Sequence, residues 1–136
     1  VEALGSGDVT DNAVLELNTG GDFTNAISGS GHVVKSGDKK PTVSGTNSYT
    51  GGTTISGGTL VATNVEALGS GDVTDNAVLE LNTGGDFTNA ISGSGQVVKS
   101  RDKTLTLSGA NSYTGGTTTS GGTLVARNVE ALGTGA

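Results

Sequence analysis

Few residue types in this chain could carry chemistry. There is one histidine, His32, and no cysteine, which removes thiol catalysis, disulfides and Fe–S ligation together. The acidic pairs Asp8/Asp11 and Asp72/Asp75, with Asn12 and Asn76 beside them, have the composition of a calcium loop. They follow neither the EF-hand spacing nor the Gly-Gly-x-Gly-x-Asp nonapeptide of calcium-binding solenoids, and they read as solvated turn residues. Glu16 and Glu80 would be the carboxylates of a glycoside hydrolase, which needs two of them flanking one cleft. They stand at equivalent places in a repeated text, and only Phe23, Tyr49, Phe87 and Tyr113 are aromatic. The sequence therefore predicts no enzyme, no metal and no cofactor.

His32 is decisive because the chain says nearly the same thing twice. Residues 1–64 and 65–128 differ at eight positions, and a third copy begins at Val129. A catalytic histidine would recur, whereas Gln96 stands in its place; His32 is expected at the surface. The organisation is repeat 1 (1–64), repeat 2 (65–128) and the start of a third copy (129–136). Such a chain is quasi-one-dimensional: each unit packs on its neighbour, and copy number sets length. Beginning in phase and stopping inside a third copy, it reads as a piece of a longer array.

The elements that must hold these residues are strands. Gly supplies 25 of 136 residues, proline one, and the aliphatics recur two apart in short runs, the period of a strand. In copy two the candidates are AVLELN from Ala77, FTNAIS from Phe87, QVVKS from Gln96, TLTLS from Thr104, GTTTS from Gly116 and TLVARN from Thr123. The turns between them are not hairpin signals, which favours a coil over a meander. The reading is an all-β, parallel β-helix (β-solenoid) with no long helix. Rungs of about 18 to 25 residues, each about 4.8 Å above the last, put about three in each 64-residue repeat. Leu60 to Leu79, Leu79 to Val98 and Leu105 to Leu124 are expected to stack.

The inward set is Val14, Leu15 or Leu17, Ile27, Val33 or Val34, Val43, Ile55, Leu60 and their counterparts in the second copy. Among the differences, Pro41 for Leu105 predicts a strand start or edge. Thr119 for Ile55 costs copy two an apolar contact. Arg101 for Gly37 suggests an exposed turn with no strict need for positive φ.

The net charge is −6. The basic turns at Lys35, Lys39 and Lys40 and at Lys99, Arg101 and Lys103 are too small for a phosphate track, so nucleic acid is not expected. No apolar run approaches a membrane span, so no membrane insertion by this segment is expected. Tyr49 and Tyr113, in the NSYTGG turns, and Lys99, Arg101 and Lys103 are the candidate surface contacts. For the tyrosines the structural alternative packs the ring over a corner with its hydroxyl in water.

SGANSYTGGTT from Ser108 and GGTLV from Gly121, with SGTNSYTGGTTISGGTLV from Ser44 to Val61, resemble the passenger-associated transport repeat of bacterial autotransporters. KTLTLSG from Lys103 matches too; KKPTVSG at Lys39 and Arg101 depart from the pattern. The resemblance implies a right-handed β-helix exported by type V secretion and displayed at the bacterial surface, anchored through an outer-membrane barrel outside this chain. It implies a stalk that supports passenger translocation, folding and adhesion. The alternatives are a dedicated module for a host matrix protein or glycan, and self-association through solenoid ends or faces.

Overall fold

The computed structural model describes residues 4, 7–127 and 129–135. Among them the regular structure is entirely strand: β1 (Val9–Thr10), β2 (Val14–Leu17), β3 (Gly21–Phe23), β4 (Ile27–Ser28), β5 (His32–Lys35), β6 (Pro41–Val43), β7 (Thr53–Ile55), β8 (Thr59–Ala62), β9 (Val73–Asp75), β10 (Val78–Leu81), β11 (Gly85–Phe87), β12 (Ile91–Ser92), β13 (Gln96–Lys99), β14 (Thr104–Leu107), β15 (Thr117–Thr119) and β16 (Thr123–Ala126). Every strand pairing is parallel and joins one turn of the chain to the next, with Val9 opposite Ile27, Thr59 opposite Val78 and Gly21 opposite Pro41. The chain is a β-solenoid of about six turns.

Three faces form the walls. The second carries β2, β5, β7, β9 and β12 in ascending order, and the third carries β3, β6, β8, β10, β13 and β15. On the first, β1 and β4 lie below and β11, β14 and β16 above. Two non-strand segments, around Asn47 and around Ala67, fill the gap. They continue the stack: Ser48 N–H donates to Ile27 C=O at 2.8 Å and Asn47 N–H to Glu66 C=O at 3.1 Å.

Equivalent strands of the two copies do not share a face. β9, the copy of β1, pairs with β7 on the second face, and β10, the copy of β2, pairs with β8 on the third. A 64-residue unit has eight strands and two non-strand segments, which visit three faces in ten steps. Each repeat thus spans three and one third turns, and each copy is rotated by one face relative to the last. The expected rung number is sharpened by this fraction.

The core is a single apolar column, mostly aliphatic, with Phe23, Phe87, Tyr49 and Tyr113 in it. Leu60, Leu79 and Leu105 are fully buried, each such side chain contributing roughly 1.5 to 3 kcal/mol. Leu60 lies opposite Leu79 and Leu105 opposite Leu124, as the spacing predicts, but Leu79 meets Val97 and not Val98. Leu15 and Leu17 both point inward, Leu15 half-buried against the core and Leu17 buried, and Val33 rather than Val34 takes the inward place. Val14 is 56% exposed because the pleat of β2 turns it out. Ile55, between Lys35 and Asp75, is fully buried; Thr119 is exposed on the outermost strand of its sheet. Pro41 opens β6, where its missing N–H costs no ladder bond. The sequence candidates omit β9, and FTNAIS divides into β11 and β12 at a corner.

Candidate functional site

The sequence motif Asn-Ser-Tyr lies where the strand ladder of the first face is interrupted. Burial alternates along it, with Asn47 and Tyr49 inside and Ser48 outside, so the segment keeps a strand-like pleat without being a strand. The Asn47 side chain then does what a peptide group does in a ladder. Its Oδ1 accepts from Ile27 N–H at 2.7 Å in the turn below, and its Nδ2 donates to Ala67 C=O at 2.6 Å in the turn above. Asn111 repeats this on the second face, with Ile91 N–H at 2.8 Å and Ala131 C=O at 2.5 Å. Sequence reasoning missed both; the signal available was an amide at fixed offset before a tyrosine.

Tyr49 and Tyr113 are corrected from surface contacts to core. Their exposures are 1% and 0%, because the same pleat that buries Asn47 buries residue 49. The hydroxyls are not in water either. Tyr49 shares a 2.6 Å hydrogen bond with Thr53 Oγ1, and Tyr113 one of 2.6 Å with Thr117 Oγ1. Burial pushes the Tyr49 phenol up to about 12 and raises that of Tyr113. Gly69, at φ +70°, lets the next turn close over this ring: a Cβ there would lie 2.3 Å from the Tyr49 carbonyl oxygen.

Lys99 is also withdrawn from the surface. It is fully buried, as is Lys35, because each ammonium turns back onto carbonyls at the corner. Lys35 Nζ donates to the carbonyls of Ser36, Gly37 and Gly57, and Lys99 Nζ to those of Ser100, Arg101 and Gly121. Three donors meet three acceptors, which is the whole capacity of the group. Desolvation lowers the Lys35 pKa, opposed by the Asp38 charge. Arg101 and Lys103 are exposed. The turn at 101 does require positive φ: Gly37 stands at 75° and Arg101 at 70°.

Asp11 and Asp75 are likewise not solvated. They are buried, each Oδ1 accepting from the backbone N–H two residues on, Ala13 at 3.1 Å and Ala77 at 3.2 Å. Each Oδ2 is buried with no hydrogen-bond partner. Burial pushes the Asp75 carboxyl up to about 6, against the Ala77 hydrogen bond. Asp8 and Asp72 are exposed, and no group of three metal-ligating side chains forms among the described residues. Glu16 and Glu80 lie on different faces, on β2 and β10, and cannot flank one bond. Each accepts from a serine one turn above, Ser36 and Ser100. His32 is partly exposed on β5.

The interruption of the first face also leaves a cleft of about 520 Å³, bounded below by Thr46–Ser48, on one side by the 65–70 turn and above by residues 86–89. Asn89 Nδ2 ties the upper wall to Gly69 C=O at 3.1 Å and Gly71 C=O at 2.6 Å.

Comparison with known families places the passenger-associated-transport-repeat on this chain twice, at residues 33–62 and 102–126. The first match takes in β5 from its second residue through β8, and the second takes in β14 to β16. Both contain an Asn-Ser-Tyr bridge. A search of curated proteins and one of solved structures each returned no match.

Proposed function

From a chain that carries two passenger-associated transport repeats, we propose that this segment is the stalk of a surface-displayed autotransporter passenger. It extends the passenger from the bacterial surface and supports its translocation and folding, and through them adhesion. The family implies a secreted or cell-surface location and a structural role. The observation that carries the reading is the junction between copies. β7 passes to β9 and β8 to β10 with the same parallel register as within a copy, so on two of the three faces the ladder runs unbroken from one repeat into the next. At about 4.8 Å per turn, three and one third turns lengthen the stalk by about 16 Å per repeat.

Translocation follows from the same contacts. Ladder partners are separated by a single turn of chain, as Val9 from Ile27 and Gly21 from Pro41. A chain emerging unfolded from a pore therefore completes one turn on the last without waiting for distant segments. Absence of cysteine leaves no disulfide to form prematurely in an oxidising compartment. Tandem arrays of two, four and six repeats test the stalk. Small-angle scattering should give a rod growing by about 16 Å per repeat, and a radius that grows as for a coil overturns the reading. The rival reading, a binding module for a host matrix protein, gains support if the purified segment binds matrix with avidity that rises with copy number.

A further inference from the structure

We propose that the cleft at the junction between repeats is a binding site for an uncharged or amine-bearing oligosaccharide. This goes beyond the stalk, which stands whether or not the cleft is filled. The volume, about 520 Å³, lies in the range of small-ligand sites, roughly 300 to 1,000 Å³. Its polar lining is rich in hydroxyls and carboxylates: Thr46, Ser48, Ser70 and Thr88, with Glu66 and Asp86. Such a surface offers hydrogen bonds in both directions to a polyol and little to a hydrocarbon. Among the described residues no lysine or arginine lines it. Two carboxylates without a compensating cation repel sulfate, uronate and sialate, and favour hydroxyls or an ammonium.

The walls are built rather than incidental. The floor is fixed by Asn47, hydrogen-bonded to the turns above and below, and the upper wall by Asn89. Glu66 and Asp86 are themselves exposed, so they can turn to a ligand without leaving a packed place. The site exists only where two copies meet: residues 46–48 come from the first and 65–89 from the second. The equivalents of its parts, Asn111 and Glu130 on one hand and Asp22 and Asn25 on the other, lie at opposite ends of this chain. One complete junction is therefore present. In an array, successive junctions rotate by one third of a turn, so the clefts wind around the rod. With the aromatic rings buried there is no stacking platform, and each site is weak alone and effective by multiplicity.

The test is a heteronuclear NMR titration of the 136-residue chain with three probes: an N-acetylglucosamine tetramer, its fully de-N-acetylated amine form, and a sulfated heparin tetrasaccharide. The first two should shift amides of residues 46–48, 65–70 and 86–89 and leave the other faces still. The double variant Glu66→Gln/Asp86→Asn, checked for an unchanged melt, should weaken binding of the amine form by roughly tenfold. Asp22→Asn, at the equivalent position without the lower layer, should change nothing. Absence of localised shifts with either of the first two up to about 10 mM, a range that reaches the weakest useful affinities, overturns the proposal. So does equal or tighter binding of the sulfated probe.

Discussion

Replacing Asn47 by Ala tests whether a side chain stands in for a peptide group in the ladder. The substitution removes both partners at once. Ile27 N–H, which donates to Oδ1 at 2.7 Å, and Ala67 C=O, which accepts from Nδ2 at 2.6 Å, are left paired with nothing in a buried place. An orphaned buried backbone group costs about 1 to 3 kcal/mol, so the two together cost about 2 to 6, with about 4 kcal/mol as the central expectation. That is a large fraction of the stability of a typical domain, about 5 to 15 kcal/mol. Urea unfolding followed by far-UV circular dichroism reads the loss. Amide hydrogen exchange at Ile27 reads its cause, since protection there should fall further than at Val33 on the neighbouring face. Ser48→Ala, next door but with an exposed side chain, should stay within about 0.5 kcal/mol. A cost below about 1 kcal/mol for Asn47→Ala, or an unchanged exchange rate at Ile27, would refute the bridging role.

Two further predictions concern groups held in unusual states. Asp75 is buried with its carboxyl pushed up to about 6, so the folded chain holds that proton more tightly than the unfolded chain. The ionisation penalty is absent below about pH 4, grows as pH rises through about 4 to 6, and is complete above, amounting to about 3 kcal/mol at most. Asp75→Asn should therefore be more stable than the parent at pH 8 and similar to it at pH 4; a difference independent of pH contradicts the assignment. Arg101 holds a left-handed φ of 70° where copy one has Gly37 at 75°. Arg101→Gly should stabilise the chain by about 1 kcal/mol in thermal or urea unfolding, and a loss of stability would show that the arginine side chain outweighs the backbone strain.

Much of the architecture was legible because repetition and two-residue alternation are local signals. The parallel strands, the aliphatic column, the position of Pro41 and the stacking of Leu60 on Leu79 follow from them. Phase around the axis does not. Turns differ slightly in length, as the pairings of Val9 with Ile27, Thr59 with Val78 and Gly21 with Pro41 show. Corner glycines absorb the differences, and a shift of one position moves Leu79 from Val98 to Val97. The one-third rotation of each copy accumulates from these small offsets and no single window contains it. The polar residues misled for a different reason. Lys99 and Asp75 are of types found mostly outside and Tyr49 of a type of intermediate burial, and each is inside because a specific partner waits there: Thr53 for the phenol, three carbonyls for the ammonium, Ala77 N–H for one carboxylate oxygen. Glu66 and Asp86 could not be recognised as neighbours, since the cleft that joins them is made by an interruption of the ladder.

The central claim is that the strand ladder continues from one repeat into the next while each repeat advances by three and one third turns, and a chain without cysteine allows a direct test by paired cysteine substitution. Thr54 lies opposite Thr74 in the β7–β9 pairing, and both point outward. If the two copies instead stacked in phase, β10 would take the place of β9 above β7 and Glu80 would lie opposite Thr54. The account predicts that Thr54→Cys/Thr74→Cys closes rapidly to an intramolecular disulfide under mild oxidation, while Thr54→Cys/Glu80→Cys stays reduced. Closure of the second pair and not the first would contradict it.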